Sequence, residues 1–278
     1  MSLAAETRET LAVLGVRPQK RRGQNFMVDA AALEAIAEAA AQGNPAAVVE
    51  IGPGLGFLTR ELLKQNKKIF AVEKDRIFAP FLNERFHGQG LTVLEKDILR
   101  VDLKQDLGIR EPVNVCGNIP YNITSPIVEW LIGQRNFVRR AVLTVQLEMA
   151  HRLEALPATK EWGALSVFVQ AHAEVRLIRK IPRSSFFPSP KVDSAAVECI
   201  FLSDAVFPAQ DRVLFFKLVR RAFQKRRKTI LNALMSPTDS FFLKKRLTGA
   251  LNTAGIDPNR RPETLTVADW ARLSDSML

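Results

Sequence analysis

Cysteine and histidine are scarce in this chain. Its two cysteines, Cys116 and Cys199, stand 83 positions apart, and its three histidines, His87, His151 and His172, form no ligand-like cluster with them. A disulfide framework and a zinc site are therefore not expected, and neither is any other metal. No uninterrupted run of about 18 apolar residues occurs, so no membrane span or membrane partner is expected. The N-terminal MSLAAETRET carries Glu6 and Glu9 where a signal peptide needs a basic and then an apolar stretch, which points to a cytoplasmic protein. There is no internal repeat.

Acidic residues are also in short supply. Against 40 Lys+Arg stand 29 Asp+Glu, a formal charge of +11 over 278 residues. The hydrophobic fraction of 47% is that of a folded chain, so the excess charge lies on a folded surface. A polyanion, nucleic acid ahead of anionic membrane, is the natural partner for such a surface. The excess is uneven: residues 1–201 hold 26 basic and 22 acidic residues, and residues 202–278 hold 14 and 7. This argues for a first domain over 1–203 and a second over 204–278. The proline-rich stretch Ser184-Ser185-Phe186-Phe187-Pro188-Ser189-Pro190 lies near their junction as an extended connector.

Within the first domain, strand and helix patterns alternate. Asp29 can cap a helix over about 30–42, and strands follow at 46–51, 68–73, 91–94, 113–116 and 141–145. Helices around 57–64, 78–86 and 126–132 separate them, an order that predicts a parallel α/β sheet. Two later runs, 172–178 and 195–201, can pair as an antiparallel hairpin at one edge. From Ala209 onward the patterns are only helical. A helix drawn through Ala209–Met235 gathers Phe216, Val219, Phe223, Ile230 and Leu234 into a core-facing stripe. On another face it gathers Lys217, Arg221, Lys225 and Lys228, with Arg220 and Arg227 flanking the stripe. Of these, Lys217, Arg221, Lys225, Arg227 and Lys228 are the candidate contacts to nucleic-acid phosphates.

The strand ending at Ile51 runs straight into Gly52-Pro53-Gly54-Leu55-Gly56 and then a helix. Glycines there let the chain turn sharply and let a ligand approach the backbone. Glu73, ending the next strand, can accept both hydroxyl hydrogens of an adenosine ribose. The loop lacks the third glycine position of the dinucleotide fingerprint and holds no basic residue, and Pro53 removes a donor that a diphosphate would want. S-adenosylmethionine, an adenosine without phosphates, fits better. Asp97, after the third strand, is placed to meet an adenine amino group.

After the fourth strand comes Asn118-Ile119-Pro120-Tyr121. An exocyclic adenine amine is a poor nucleophile because its lone pair is delocalised into the ring. A site that accepts hydrogen bonds from both amine hydrogens favours the tetrahedral nitrogen of the transition state. The Asn118 side-chain oxygen and the Ile119 carbonyl can be those acceptors, with Pro120 stiffening the turn and Tyr121 stacking on the base.

Taken in order, Gly23-Gln24-Asn25-Phe26-Met27-Val28-Asp29, Glu50–Gly56, Glu73, Asp97, Asn118–Tyr121, Phe186–Val192 and Arg226-Arg227-Lys228-Thr229-Ile230-Leu231-Asn232 resemble the motif series of the rRNA adenine N6-dimethyltransferases, and among them the bacterial small-subunit branch. The likeness spans about residues 17–265. It implies a Rossmann-like class I methyltransferase sheet, mostly parallel with an antiparallel edge hairpin, plus a small all-α C-terminal domain, with segment 1–28 carrying the Gly-Gln-Asn-Phe motif. The cofactor it implies is S-adenosylmethionine, and the partners are small-subunit rRNA and the immature small ribosomal subunit. The implied reaction dimethylates N6 of two adjacent adenosines near the 3′ end of that RNA. By the same resemblance Asn25 and Met27 touch the methionine end of the cofactor, Gly52 and Gly54 lie under it, and Glu73 and Asp97 hold its ribose and adenine. Asn118 bridges cofactor and target amine, and Phe186 stacks on the flipped base opposite Tyr121, although Phe187 can take that place. The large-subunit methyltransferases that confer macrolide resistance are the nearest rival branch.

Overall fold

In the computed structural model, which describes residues 1–19, 23–203 and 207–278, the apolar runs of the first 150 residues form buried strands. In chain order the elements of this part are α1 (Leu3–Val13), β1 (Phe26–Met27), α2 (Ala30–Ala41), β2 (Ala47–Ile51), α3 (Phe57–Leu63), β3 (Lys68–Glu73), α4 (Phe78–Arg85), β4 (Leu91–Glu95), α5 (Leu103–Leu107), β5 (Val113–Asn118), α6 (Thr124–Gly133) and β6 (Val138–Gln146). Then follow α7 (Leu147–Glu154), α8 (Ala164–Gln170), β7 (Ala173–Ile181), β8 (Phe186–Phe187) and β9 (Ser194–Phe201). Seven strands lie in the order β4-β3-β2-β5-β6-β9-β7. The first five pair in parallel, and β9 runs antiparallel to β6 with β7 beyond it at the edge. All five residues of β2 are buried, as a strand covered on both faces requires.

Local chemistry fixes the helix ends. Asp29 caps α2 by accepting from Ala32 N at 3.1 Å, and its other oxygen accepts from Ser185 Oγ at 2.8 Å. At the far end the buried Asn114 amide donates to the carbonyls of Ala40 and Gln42, each at 2.8 Å. Helix α1 has no counterpart among the elements expected from sequence. Its Glu6 accepts from Arg60 of α3 and Arg85 of α4, and Arg85 also donates to the Leu55 carbonyl of the glycine loop at 3.3 Å.

The chain divides into two units, residues 1–150 with 174–201, and residues 151–173 with 202–278. The stretch 151–173, which the sequence pattern assigns to the first domain, thus belongs with the C-terminal helices. Trp162 is buried, and its indole N–H donates to the Leu265 carbonyl at 3.1 Å, while Val167 of α8 packs in one core with Phe215 and Leu218. The boundary expected between 203 and 204 abuts residues 204–206, outside the described set. Further along lie α9 (Arg212–Phe223), α10 (Ile230–Leu234), α11 (Lys244–Thr253) and α12 (Val267–Asp275).

The single helix expected over Ala209–Met235 is two, broken at 224–229. Four successive cations at 225–228 disfavour a continuous turn, and Thr229 restarts the helix by capping Asn232 N. The buried face of α9 is Leu214, Phe215, Leu218, Val219 and Ala222, and Phe216 and Phe223 are only partly buried. The single-helix cation row is broken accordingly. Arg221 turns inward: its Nε donates to Leu234 O at 2.6 Å and its guanidinium lies 4.3 Å from the Phe242 ring centre. Lys217, although exposed, lies over Phe241 and Phe242, and Lys225, Arg227 and Lys228 are exposed in the turn. Among the described residues no helix is long and apolar enough to cross a membrane.

Candidate active site

Strand register assembles the site. Ile51 pairs with Val72 and with Gly117, Glu73 with Glu95, and Asn118 with Thr144. The carboxyl ends of β2, β3, β4 and β5 are therefore level, and the residues that leave them face one crevice, the usual ligand position in such sheets. A cleft of about 660 Å³ opens there. Asn25, Met27, Gly52, Gly54, Glu73, Asp97 and Asn118 all line it, so every residue expected to touch the cofactor falls on one surface.

The glycine loop separates two demands. Gly52 has φ +61°, and a side chain there would point into open space, which leaves the backbone bare towards the cleft. Gly56 has φ +80°, and a Cβ would come within 2.5 Å of the Phe86 ring. The first glycine leaves open space beside the backbone and the last serves packing.

Glu73 is 7% exposed, and each carboxylate oxygen accepts one backbone N–H, Oε2 from Gly54 at 3.0 Å and Oε1 from Asp75 at 2.8 Å. Burial raises its pKa above the ordinary carboxylate value, against the lowering effect of those amides. Glu50, deeper in the same cleft, is fully buried and accepts from Thr59 Oγ1 at 2.6 Å; burial pushes its pKa up to about 8. Asp97 feels burial too, but the Lys74 ammonium at 2.7 Å and the Leu99 amide hold it below its usual value.

The N-terminal segment crosses the cleft. Gln24 reaches Asp75 at 3.5 Å, and the Asn118 side-chain Nδ2 donates to the Asn25 carbonyl at 2.7 Å. That donation fixes the amide so that Oδ1 is free to accept, and among the described residues no donor reaches it. Ile119 is buried and its N–H donates to Thr144 O at 3.0 Å. Pro120 lines the cleft, while Tyr121, half-buried, lies beside it without lining it.

Phe186 departs from expectation. It is 4% exposed and belongs to the core of the first unit. The cause is the two-residue ladder of β8 with β1, which pairs Phe186 with Met27 and Phe187 with Phe26. Successive side chains on a strand point to opposite sides, and Phe186 takes the inner one. Phe187 is the half-buried ring, with the Arg8 guanidinium 5.2 Å from its centre. Sequence reasoning assigns no role to Glu50, Asp75 or Gln24. Asp75 carries one signal, its place two residues after Glu73, where a short side chain caps the turn into Ile77.

Comparison with known proteins agrees with this geometry. A ribosomal RNA small subunit methyltransferase A of Clostridium botulinum is 37% identical over 257 residues, 92% of each chain. Among solved structures, a dimethyladenosine transferase from Plasmodium falciparum superposes with a TM-score of 0.75 at 28% identity, covering 89% of this chain and 95% of that one. The 23S rRNA methyltransferase ErmE gives a TM-score of 0.70 at 27% identity, covering 91% of this chain and 99% of that one. The sheet is thus the Rossmann-like class I methyltransferase sheet, with its antiparallel strand beside the edge. The family described as ribosomal RNA adenine dimethylase matches residues 16–277. With that match across both units and the cleft built from its motifs, the chain belongs to the ribosomal RNA adenine dimethylase family.

Proposed function

We propose that this chain transfers methyl groups from S-adenosylmethionine to N6 of two adjacent adenosines near the 3′ end of small-subunit rRNA, giving N6,N6-dimethyladenosine. The substrate is the immature small ribosomal subunit in the cytoplasm. The observation that carries this reading is the orientation of Asn118, whose Nδ2 is spent on the Asn25 carbonyl while Oδ1 is left to accept a hydrogen from an amine. The 37% identity to a small-subunit enzyme over 92% of each chain supports the choice of subunit.

The cleft suits the cofactor: bare backbone at Gly52, a buried carboxylate at Glu73 and no cation within the glycine loop. When bound, S-adenosylmethionine supplies an electrophilic methyl group. Glu73 accepts from the ribose hydroxyls, Asp97 meets the adenine, and Asn25 and Met27 flank the methionine end. The target adenosine leaves its helix, since a stacked base cannot present its amine to a cleft. Tyr121 stacks on it, and Asn118 Oδ1 with the Ile119 carbonyl accepts the two amine hydrogens. These acceptors strengthen as the nitrogen becomes tetrahedral, so they favour the transition state over the bound substrate. As the nitrogen–methyl bond would form and the sulfur–methyl bond break, the demethylated thioether would leave and the nitrogen would shed its proton to solvent, so no side chain need act as a base.

The test is to incubate the protein with labelled cofactor and undermethylated small subunits, digest the RNA and analyse the nucleosides by mass spectrometry. N6,N6-dimethyladenosine is expected; its absence with active cofactor sinks the reading, and its appearance only in a parallel incubation with undermethylated large subunits moves the chain to the other branch.

The exposed cations Lys225, Arg227 and Lys228 hold RNA phosphates. Neutralising all three should flatten the plot of log Kd against log salt by roughly 0.7–0.9 for each phosphate no longer neutralised. Arg221→Ala should leave that slope alone and lower Tm, because its guanidinium serves carbonyls at the end of α10. An unchanged slope in the triple variant removes this assignment.

A further inference from the structure

The Asn118–Tyr121 turn is followed by one short helical turn over Tyr121–Ile123, and the Tyr121 hydroxyl lies 2.8 Å from Ser194 Oγ. Ser194 is completely buried at the start of β9, where its backbone pairs with Gln146 of β6. The chain reaches it from the Phe186–Pro190 loop, whose base is tightly closed. Arg183 N donates to Asp193 Oδ1 at 2.9 Å, Ser189 Oγ to Arg183 O at 2.9 Å, and Leu147 N to Asp193 O at 3.0 Å. The serine hydroxyl therefore stands on a fixed backbone, one residue beyond that closure.

We propose that Ser194 is a positioning residue for methyl transfer, holding the Tyr121 ring by its hydroxyl in the orientation that receives the target base. The inference rests on the function proposed above. A tyrosine side chain on a turn is free at two torsions, and stacking on a planar base requires one ring plane. The hydroxyl oxygen lies on the axis of the second torsion, so a hydrogen bond there fixes the first torsion and with it the place of the ring, and it restrains the ring plane through the preference of a phenolic O–H to lie in that plane, before the base arrives. Burial raises the phenol pKa above its ordinary value, which keeps the hydroxyl neutral and in its hydrogen bond.

A bond that merely joined β9 to the turn would affect stability alone. The two cases separate in a double-mutant cycle of S194A, Y121F and the double variant. The readouts are the single-turnover rate of methyl transfer to undermethylated small-subunit RNA, cofactor affinity and Tm. Each single change should slow transfer by about three- to ten-fold, the worth of one hydrogen bond. The double variant should be no slower than the slower single one, because both changes remove the same hydrogen bond. Cofactor affinity should stay at the wild-type value. Multiplying losses, or a single variant with the wild-type rate, would overturn the proposal. Should S194A not fold, S194C, close in size and a poor hydrogen-bonding partner, takes its place in the cycle with the same two outcomes. A wild-type protein that methylates no adenosine would count against the proposed function and not against this hydrogen bond.

Discussion

Asn118→Ala is expected to slow methyl transfer by about two to three orders of magnitude, the scale for removing one group aimed at charge developing in a transition state. Cofactor binding should stay measurable, since Glu73, Asp97 and the bare backbone at Gly52 are untouched. The loss has two parts that a second variant separates. Alanine removes the acceptor for the target amine and also the 2.7 Å strut from Nδ2 to the Asn25 carbonyl. Aspartate keeps an acceptor but cannot donate to that carbonyl, so Asn118→Asp loses the strut while a negative oxygen stays near the amine. If positioning of the N-terminal segment matters, Asn118→Asp falls between wild type and alanine in rate and binds cofactor more weakly than alanine does, because like-signed oxygens now face each other. Single-turnover kinetics on undermethylated subunits and calorimetric cofactor binding give both quantities. An alanine variant within ten-fold of the wild-type rate would remove Asn118 from the transition state.

The parts of this molecule that can be read from sequence are those where one local rule acts alone. The run Ala47–Ile51 is apolar at every position but Glu50 because both faces of a central parallel strand are covered, and the glycines after it follow from the turn. Asp29 announces α2 because a cap is a matter of a few residues. What escapes depends on distant partners. Helix α1 buries little beyond Thr7 and Leu11 and is held by Glu6 to Arg60 and Arg85, a link across more than 50 positions that no periodicity encodes. The apolar spacing of the tail continues past Phe223 and so suggests one helix. The break depends on Thr229 as a cap and on the Arg260 carbonyl, which accepts from Ile230 N at 2.6 Å. Likewise Phe186 and Phe187 are indistinguishable as letters, and only their pairing with β1 sends one ring inward. In the site, the seven residues proposed to meet the cofactor are legible because strand ends and a short motif carry them, whereas Gln24 and Asp75 act through each other.

Glu73→Ala is expected to weaken S-adenosylmethionine binding by roughly 100-fold or more, since two hydrogen bonds to a charged group, about 1.5–3 kcal/mol each, are lost together. The change also orphans the Gly54 and Asp75 amides that the carboxylate now satisfies, so the glycine loop keeps its tie to β3 at Gly52, whose N–H donates to Val72 O, but loses the one at Gly54. Against this, removing a buried carboxyl relieves its own desolvation and the repulsion that helps raise Glu50, so the unliganded protein should lose less stability than affinity. The wild-type protein should show the same group in its pH dependence. Cofactor hydroxyls are best met by the ionised carboxylate, so affinity should rise with pH through the folded-state pKa of Glu73. Burial displaces that pKa upward from the ordinary 4.5, and the rise should therefore lie above the usual carboxylate range. Isothermal titration of S-adenosylmethionine and its demethylated product across pH checks both statements. An alanine variant within three-fold of wild-type affinity would show that the carboxylate shapes the loop without holding the ribose.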